Sequence, residues 1–294
     1  MHSFHPDSGF RLAGFVSLLL VASCALTKVY ASNGVLEISQ SCVAAGCLPG
    51  DAPGFPVEIT ASGSYVLSSN IAVADENTTA IYSSADSVSI DLGGFTISGV
   101  TTCSGTSPLV CTQTGTGNGV EIQAGKTGSI LNGTVRNMGD TGIRSFEGLI
   151  ENVVVKHNGG SGIINSFGVV QNNVARENGE AGIECFTCLM QFNVVTNNGA
   201  YGIVGAGLSR IRINQVESNG IGGGMTGPGI IADGFIENNS VSSNRGAGLV
   251  GTSVTIYGGN VFQANEQSGT PDPTNQVTGG DQFGANYCHG VLCP

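Results

Sequence analysis

The sequence predicts an all-β solenoid, a right-handed parallel β-helix with three faces, and three observations carry that prediction. The pairs Gly142-Ile143, Gly162-Ile163, Gly182-Ile183 and Gly202-Ile203 recur every 20 residues, the mark of a stacked repeat. Counting back from each pair sorts the chain into three apolar columns: Ile130, Ile150, Val170, Met190; Val135, Val155, Ala175, Val195; and Ile143, Ile163, Ile183, Ile203. Between columns the pattern alternates with period two, with Leu131, Glu151, Gln171 and Gln191 facing outward beside the first column, as strands require and helices do not. Helical repeats of roughly 33 to 47 residues are too long for this spacing, and a leucine-rich repeat needs a Leu ladder that is missing. Parallel strands joined by crossovers wind right-handed.

Residues 12–27 are uncharged, follow Arg11 and contain the apolar run Phe15 to Ala22. That run is too short to span a bilayer and suits a secretory h-region. Val29-Tyr30-Ala31 resembles a cleavage site, so 1–31 is expected to be a signal peptide. Val21-Ala22-Ser23-Cys24 also resembles a bacterial lipobox, which would make Cys24 a lipid anchor. The expected order is then an N-terminal cap over 32–60, the β-helix over 61–265 and a C-terminal cap over 266–294. The caps rest on the Pro- and Cys-containing ends, because an uncapped solenoid exposes unpaired strand edges. About nine coils are expected from Tyr65 to Phe262, roughly 43 Å at about 4.8 Å per coil.

Each element has its own signal. Gly63 to Ile71 and Ser87 to Ile97 alternate like strands and start the stack. Residues 98–118 break the repeat and leave one corner as a loop. Asn158, Asn178 and Asn198 fall four residues before the repeating glycines; they are expected to hold left-handed corners and to stack amide on amide. The spacing from Gly202 to Gly229 is longer, and the register is expected to resume at Gly223 and again at Gly248, with Ile211 and Ile236 in the first column and Val216 and Val241 in the second.

Of nine cysteines, eight form local pairs, Cys42 with Cys47, Cys103 with Cys111, Cys185 with Cys188 and Cys288 with Cys293. Even number and tight pairing predict disulfides in an oxidising compartment, so the chain is expected to be exported. One CxxC without a second pair gives no zinc site, and no cofactor or metal is expected.

The segment from Gly63 to Gly99, followed by repeats of the form xIxNxxVxxNxGxGI, is similar to the exported right-handed parallel β-helix repeat proteins of bacteria, in the pectin-lyase-like superfamily. The resemblance covers about 48–262. It implies a carbohydrate-linked role, but the motifs of the superfamily's enzymes are missing: there is no adjacent Asp pair, no acidic calcium-ligand column, and only Cys288-His289-Gly290 where a hydrolase would carry GHG.

The chain has ten Lys plus Arg against 21 Asp plus Glu. Removing 1–31 takes away Arg11, Lys28 and Asp7, leaving eight against twenty and a net charge of −12, which argues against nucleic acid or an anionic membrane as partner. Against that background Arg136, Lys156 and Arg176 occupy one column, with His157 and Glu177 beside them. Glu151, Glu177 and Glu180 are the candidate counter-charges. Arg144 and Glu184 share another column and could form a surface ion pair. The five residues Arg136, Lys156, His157, Arg176 and Glu177 are the candidate carbohydrate-binding set, for an anionic polysaccharide along an extended face. The expected function is a non-catalytic polysaccharide-binding or envelope structural module; the alternative is a polysaccharide lyase or other carbohydrate-active enzyme.

Overall fold

A computed structural model describes residues 34–222, 227–266 and 272–294; the expected signal peptide, Cys24 and Gly223 lie outside them. The described chain is a right-handed parallel β-helix without α-helix, with short 3-10 turns at Val43–Ala45 and Pro273–Asn275. Its coils stack in register on three faces. On the first face the inward column runs Val57, Ile81, Val120, Ile143, Ile163, Ile183, Ile203, Ile230, Leu249, Val277, which makes ten coils where the sequence suggests about nine. The difference arises at the ends. Leu36–Ile38 pairs with Gly63–Leu67, and Val277–Thr278 pairs with Leu249–Gly258, so parallel pairing continues into the segments assigned to the caps.

The three predicted columns form the core, Ile143 to Ile203 on the first face, Ile130 to Met190 on the second and Val135 to Val195 on the third. Every member from Ile130 to Met190, Val135 to Val195 and Ile143 to Ile203 is fully buried, and Ile211, Ile236, Val216 and Val241 continue them. Burying each such aliphatic side chain stabilises the fold by roughly 1.5–3 kcal/mol. After Ile203 the first-face column resumes at Ile230, behind Gly229, rather than behind Gly223. The longer coil therefore carries its extra residues entirely before that strand.

Two buried asparagine ladders run beside the apolar columns. In the first, the side-chain amide of Asn158 donates to Asn178, Asn178 to Asn198, Asn198 to Asn219, Asn219 to Asn244 and Asn244 to Asn265, at 2.8–3.0 Å, and Asn265 donates to Gln276 at 2.9 Å. From Asn178 to Asn265 each amide also donates to a backbone carbonyl of the preceding coil, as Asn198 does to Ala175 at 3.1 Å. A second ladder, absent from the sequence reading, joins Asn173, Asn193, Asn214, Asn239, Asn260 and Asn286 at the other corner of the third face. The ladder asparagines are not the left-handed residues. Positive φ falls one position earlier, at Asn137, His157, Glu177 and Asn197 and at Asn132, Asn152, Asn172 and Phe192. The left-handed turn reverses the chain outside, and the following Asn then points inward.

The glycines keep this stack tight. A Cβ on Gly182 would lie 2.6 Å from the Asn198 amide nitrogen and would strike Val195, so no side chain fits there without displacing the ladder.

Residues 99–118 form a finger. Its two arms exchange hydrogen bonds between Ser104 and Val110, 2.9 Å each way, and the Cys103–Cys111 disulfide joins them. The finger lies along the corner between the third and first faces: Thr101 donates to the Asn137 carbonyl at 2.9 Å and Thr114 to the Gly139 carbonyl at 3.1 Å. The remaining predicted pairs, Cys42–Cys47, Cys185–Cys188 and Cys288–Cys293, are also disulfides.

Candidate functional site

The corner beneath the finger divides the chemistry in two. On the third-face side, Lys156 is in register with Arg136 on one coil and Arg176 on the next. Strand alternation aims all three outward while Val135, Val155 and Ala175 point in. Unit charges about 4.8 Å apart repel by roughly 0.9 kcal/mol in water. Partial burial, and then the Arg176 and Arg136 guanidinium groups, hold the Lys156 ammonium below its ordinary range, with Glu177 opposing them. Of the three expected counter-charges, only Glu177 reaches the strip. It pairs with Arg176 Nη1 at 2.8 Å. Glu151 sits on the second face, bonded to Gln171 and Asn172, and Glu180 lies across the corner on the other side of the finger. Among the described residues no carboxylate lies within ion-pair distance of Arg136 or Lys156.

His157 and Glu177 occupy successive left-handed corner positions, φ 58° and 52°. The His157 Nε2 lies 2.8 Å from Glu177 Oε2, and the Leu109 amide of the finger donates to Oε1 at 3.2 Å. The Glu177 carboxylate is thus enclosed, with 6% of the residue exposed. Burial alone would raise its pKa. Hydrogen bonds from His157 and Leu109, with the charges of His157 and Arg176, outweigh that and hold the carboxyl below its ordinary value. A buried charge needs this degree of pairing. The structure therefore brings the five predicted residues together but gives them two jobs: Arg136, Lys156 and Arg176 face solvent, while His157 and Glu177 fasten the finger.

On the first-face side lies a cleft of about 590 Å³, walled by Val110 and Gln113 of the finger and by Tyr201, Val204, Glu180 and Glu184 of the coils. Asp140 occupies the same column as Glu180, two coils away, and its charge reaches Glu180. The coil between them carries Gly160, where any side chain would strike the Asp140 carboxylate. Burial raises the Asp140 carboxyl, with Glu121 adding to the shift and Arg144 and Thr141 opposing it. The Glu180 carboxyl is raised by local burial and then by Glu184 and Asp140, against Ser161 and Arg144. Arg144 pairs with Asp140 at 3.7 Å rather than with Glu184, which accepts from the Ser161 hydroxyl. The arrangement supplies carboxyl groups that hold protons more readily than free ones, beside an apolar wall. The sequence reading missed this cleft, although Asp140 and Glu180 share one phase of the 20-residue repeat and the same column count would have paired them.

No protein-family profile matches the sequence, and a search of curated proteins gives no match. Solved structures do match. The A-module of the mannuronan C-5 epimerase AlgE6 of Azotobacter vinelandii aligns with a TM-score of 0.52 at 18% identity, over 83% of this chain and 68% of that one. The A-module of the epimerase AlgE4 of the same organism (TM-score 0.41, 16% identity, 81% of this chain and 75% of that one) and the pectate lyase Pel9A (TM-score 0.43, 13% identity, 90% and 78%) align more loosely. At these identities the likeness concerns architecture alone, that of a right-handed parallel β-helix.

Proposed function

We propose that the chain binds a linear anionic polysaccharide along the strip Arg136, Lys156, Arg176. The observation that carries this reading is the in-register cation column itself, in which only Arg176 has a described counter-charge, on a chain of net charge −11. Such a local positive strip attracts a polyanion that the rest of the surface repels. A flat face built from repeating coils also matches a repeating polymer. The AlgE6 A-module, of like fold, belongs to an enzyme named for mannuronan, which is consistent with a glycan partner. The four disulfides suit an oxidising, exported setting.

The test is binding of uronate polymers, by titration calorimetry, to wild type and to the Arg136→Ala, Lys156→Ala, Arg176→Ala triple variant. Wild type should bind with an affinity that falls as salt rises, and the triple variant should lose binding. Equal affinity in both would remove the strip from the binding surface.

A second reading, a carbohydrate-active enzyme, is favoured by the cleft. Glu180, which lines it, has a raised carboxyl pKa, as does Asp140 two coils away, the property a general acid needs near neutral pH. Incubation with the same polymers separates the readings: new reducing ends, an unsaturated ultraviolet-absorbing product or an altered uronate epimer ratio would each establish catalysis, and Glu180→Gln should then abolish it.

A further inference from the structure

The strip does not continue unchanged along the third face. In register beyond Arg176 come Thr196 and then Glu217, so an anionic polymer following the column from coil to coil would meet a like charge two coils on. The corner beside those coils offers a different route. Off the finger's tip at Pro108 lies a second pocket of about 320 Å³, lined by Asn197, Ser218, Ile221 and Arg245 among others. Asn197 and Ser218 are the left-handed corner residues of the two coils that follow Arg176, so the pocket opens where the cation column ends. Arg245 is exposed, and among the described residues no carboxylate lies within ion-pair distance of it. Its size is at the small end of ligand sites, which run about 300–1,000 Å³, and it suits one sugar unit rather than a chain.

We propose that this pocket binds a single anionic sugar unit, a uronate or sulfated residue, at the end of the polymer segment held by the strip, with Arg245 engaging its acidic group. The inference rests on the strip reading and adds an end-binding subsite to it. Asn197 and Ser218 supply amide and hydroxyl groups for sugar hydroxyls, and Pro108 closes the tip side. From the Arg136 coil to the Arg245 coil is five steps, about 24 Å at ~4.8 Å per coil. A short oligomer therefore cannot reach both places, whereas a longer one gains from the second contact through high effective concentration.

The experiment measures binding of uronate dimers and hexamers to wild type, Arg245→Ala, Arg245→Lys and the strip triple variant, with melting temperatures to confirm folding. For the hexamer, Arg245→Ala should weaken binding by about tenfold, and Arg245→Lys should recover much of the loss. The ratio of hexamer to dimer affinity should shrink in Arg245→Ala. Hexamer affinity equal to wild type in Arg245→Ala, with binding lost in the triple variant, overturns the pocket and leaves the strip standing. Binding unaffected by the triple variant overturns the strip reading, and no binding of either oligomer by wild type overturns both.

Discussion

The backbone amide of Leu109 donates to the side-chain carboxylate of Glu177 across 3.2 Å, although 68 residues separate them in sequence. That bond fixes the finger to the coil stack near its tip, and it separates the cation strip from the acidic cleft.

Replacing Glu177 by Gln should therefore loosen the finger. Removing the charge breaks the pairing with Arg176 and His157, at a cost of roughly 1–3 kcal/mol, and amide exchange over 104–112 should quicken. The pH dependence has a definite sign. The folded carboxyl lies below its ordinary value, so its stabilisation is complete above the unfolded value of about 4.3 and is lost as pH falls through the folded value. Protection of Leu109 in wild type should fall on acidification and should not in Glu177→Gln. Equal protection in both proteins at neutral pH would show that other bonds hold the finger.

Asp140 has the opposite sign. Its folded carboxyl is raised, so stability falls as pH rises from the unfolded value of about 3.9 through the folded one. Asp140→Asn should melt slightly higher than wild type at pH 8, by an amount worth less than about 1 kcal/mol, and should show no gain at pH 3. A gain of equal size at both pH values would trace the effect to packing instead.

Asn198 should tolerate no apolar replacement. It donates to Asn219 and to the Ala175 carbonyl and accepts from Asn178, so Asn198→Leu leaves several buried groups unpaired. The expected loss is about 3 kcal/mol or more in chemical denaturation. A loss under about 1 kcal/mol would mean that neighbouring coils re-pair the ladder.

Ile163→Asp should be as severe, because it places an unpaired charge in a fully buried column. A melting temperature matching wild type would contradict the stacking of Ile143, Ile163 and Ile183.

The eight paired cysteines should give no free thiol on alkylation of the native protein. Cys103→Ser with Cys111→Ser should raise amide exchange in the finger while the coil core keeps its protection, since that bridge joins two arms outside the apolar columns. Unchanged finger exchange would make the bridge redundant with the Leu109–Glu177 bond.

The repeat made the coils legible. A column of Ile143, Ile163, Ile183 and Ile203 has one physical explanation, and the register found between them is the register counted in the sequence. The cation strip was legible for the same reason, because one phase of the repeat holds Arg136, Lys156 and Arg176. Two things were not. The sequence points to Asn158 and its equivalents for the left-handed corner, since Asn tolerates positive φ, whereas residues as unlike as His157, Glu177 and Phe192 take it; the inward amide is what the corner selects for, and the turn residue ahead of it is free to vary. The role of Glu177 is hidden because its partner Leu109 sits in a segment that breaks the repeat, and column counting says nothing about where such an excursion lands.

Each asparagine ladder has a direction, because every rung gives one amide hydrogen to the next rung toward the C-terminal end and its amide oxygen accepts from the rung on the N-terminal side. The first ladder begins where Asn158 accepts from the Met138 backbone, and it ends at Gln276, whose amide turns back to the carbonyls of Asn265 and Asp272. The second begins with the Val153 backbone amide donating to Asn173 and ends at Asn286, whose amide turns to Gln282 and Gly284. Both rows are passivated at each terminus, like a one-dimensional crystal whose faces have been sealed. Neither presents a free amide on which a second molecule could continue the lattice, so the side-chain rows set a fixed length from within, whatever the strand edges around them do.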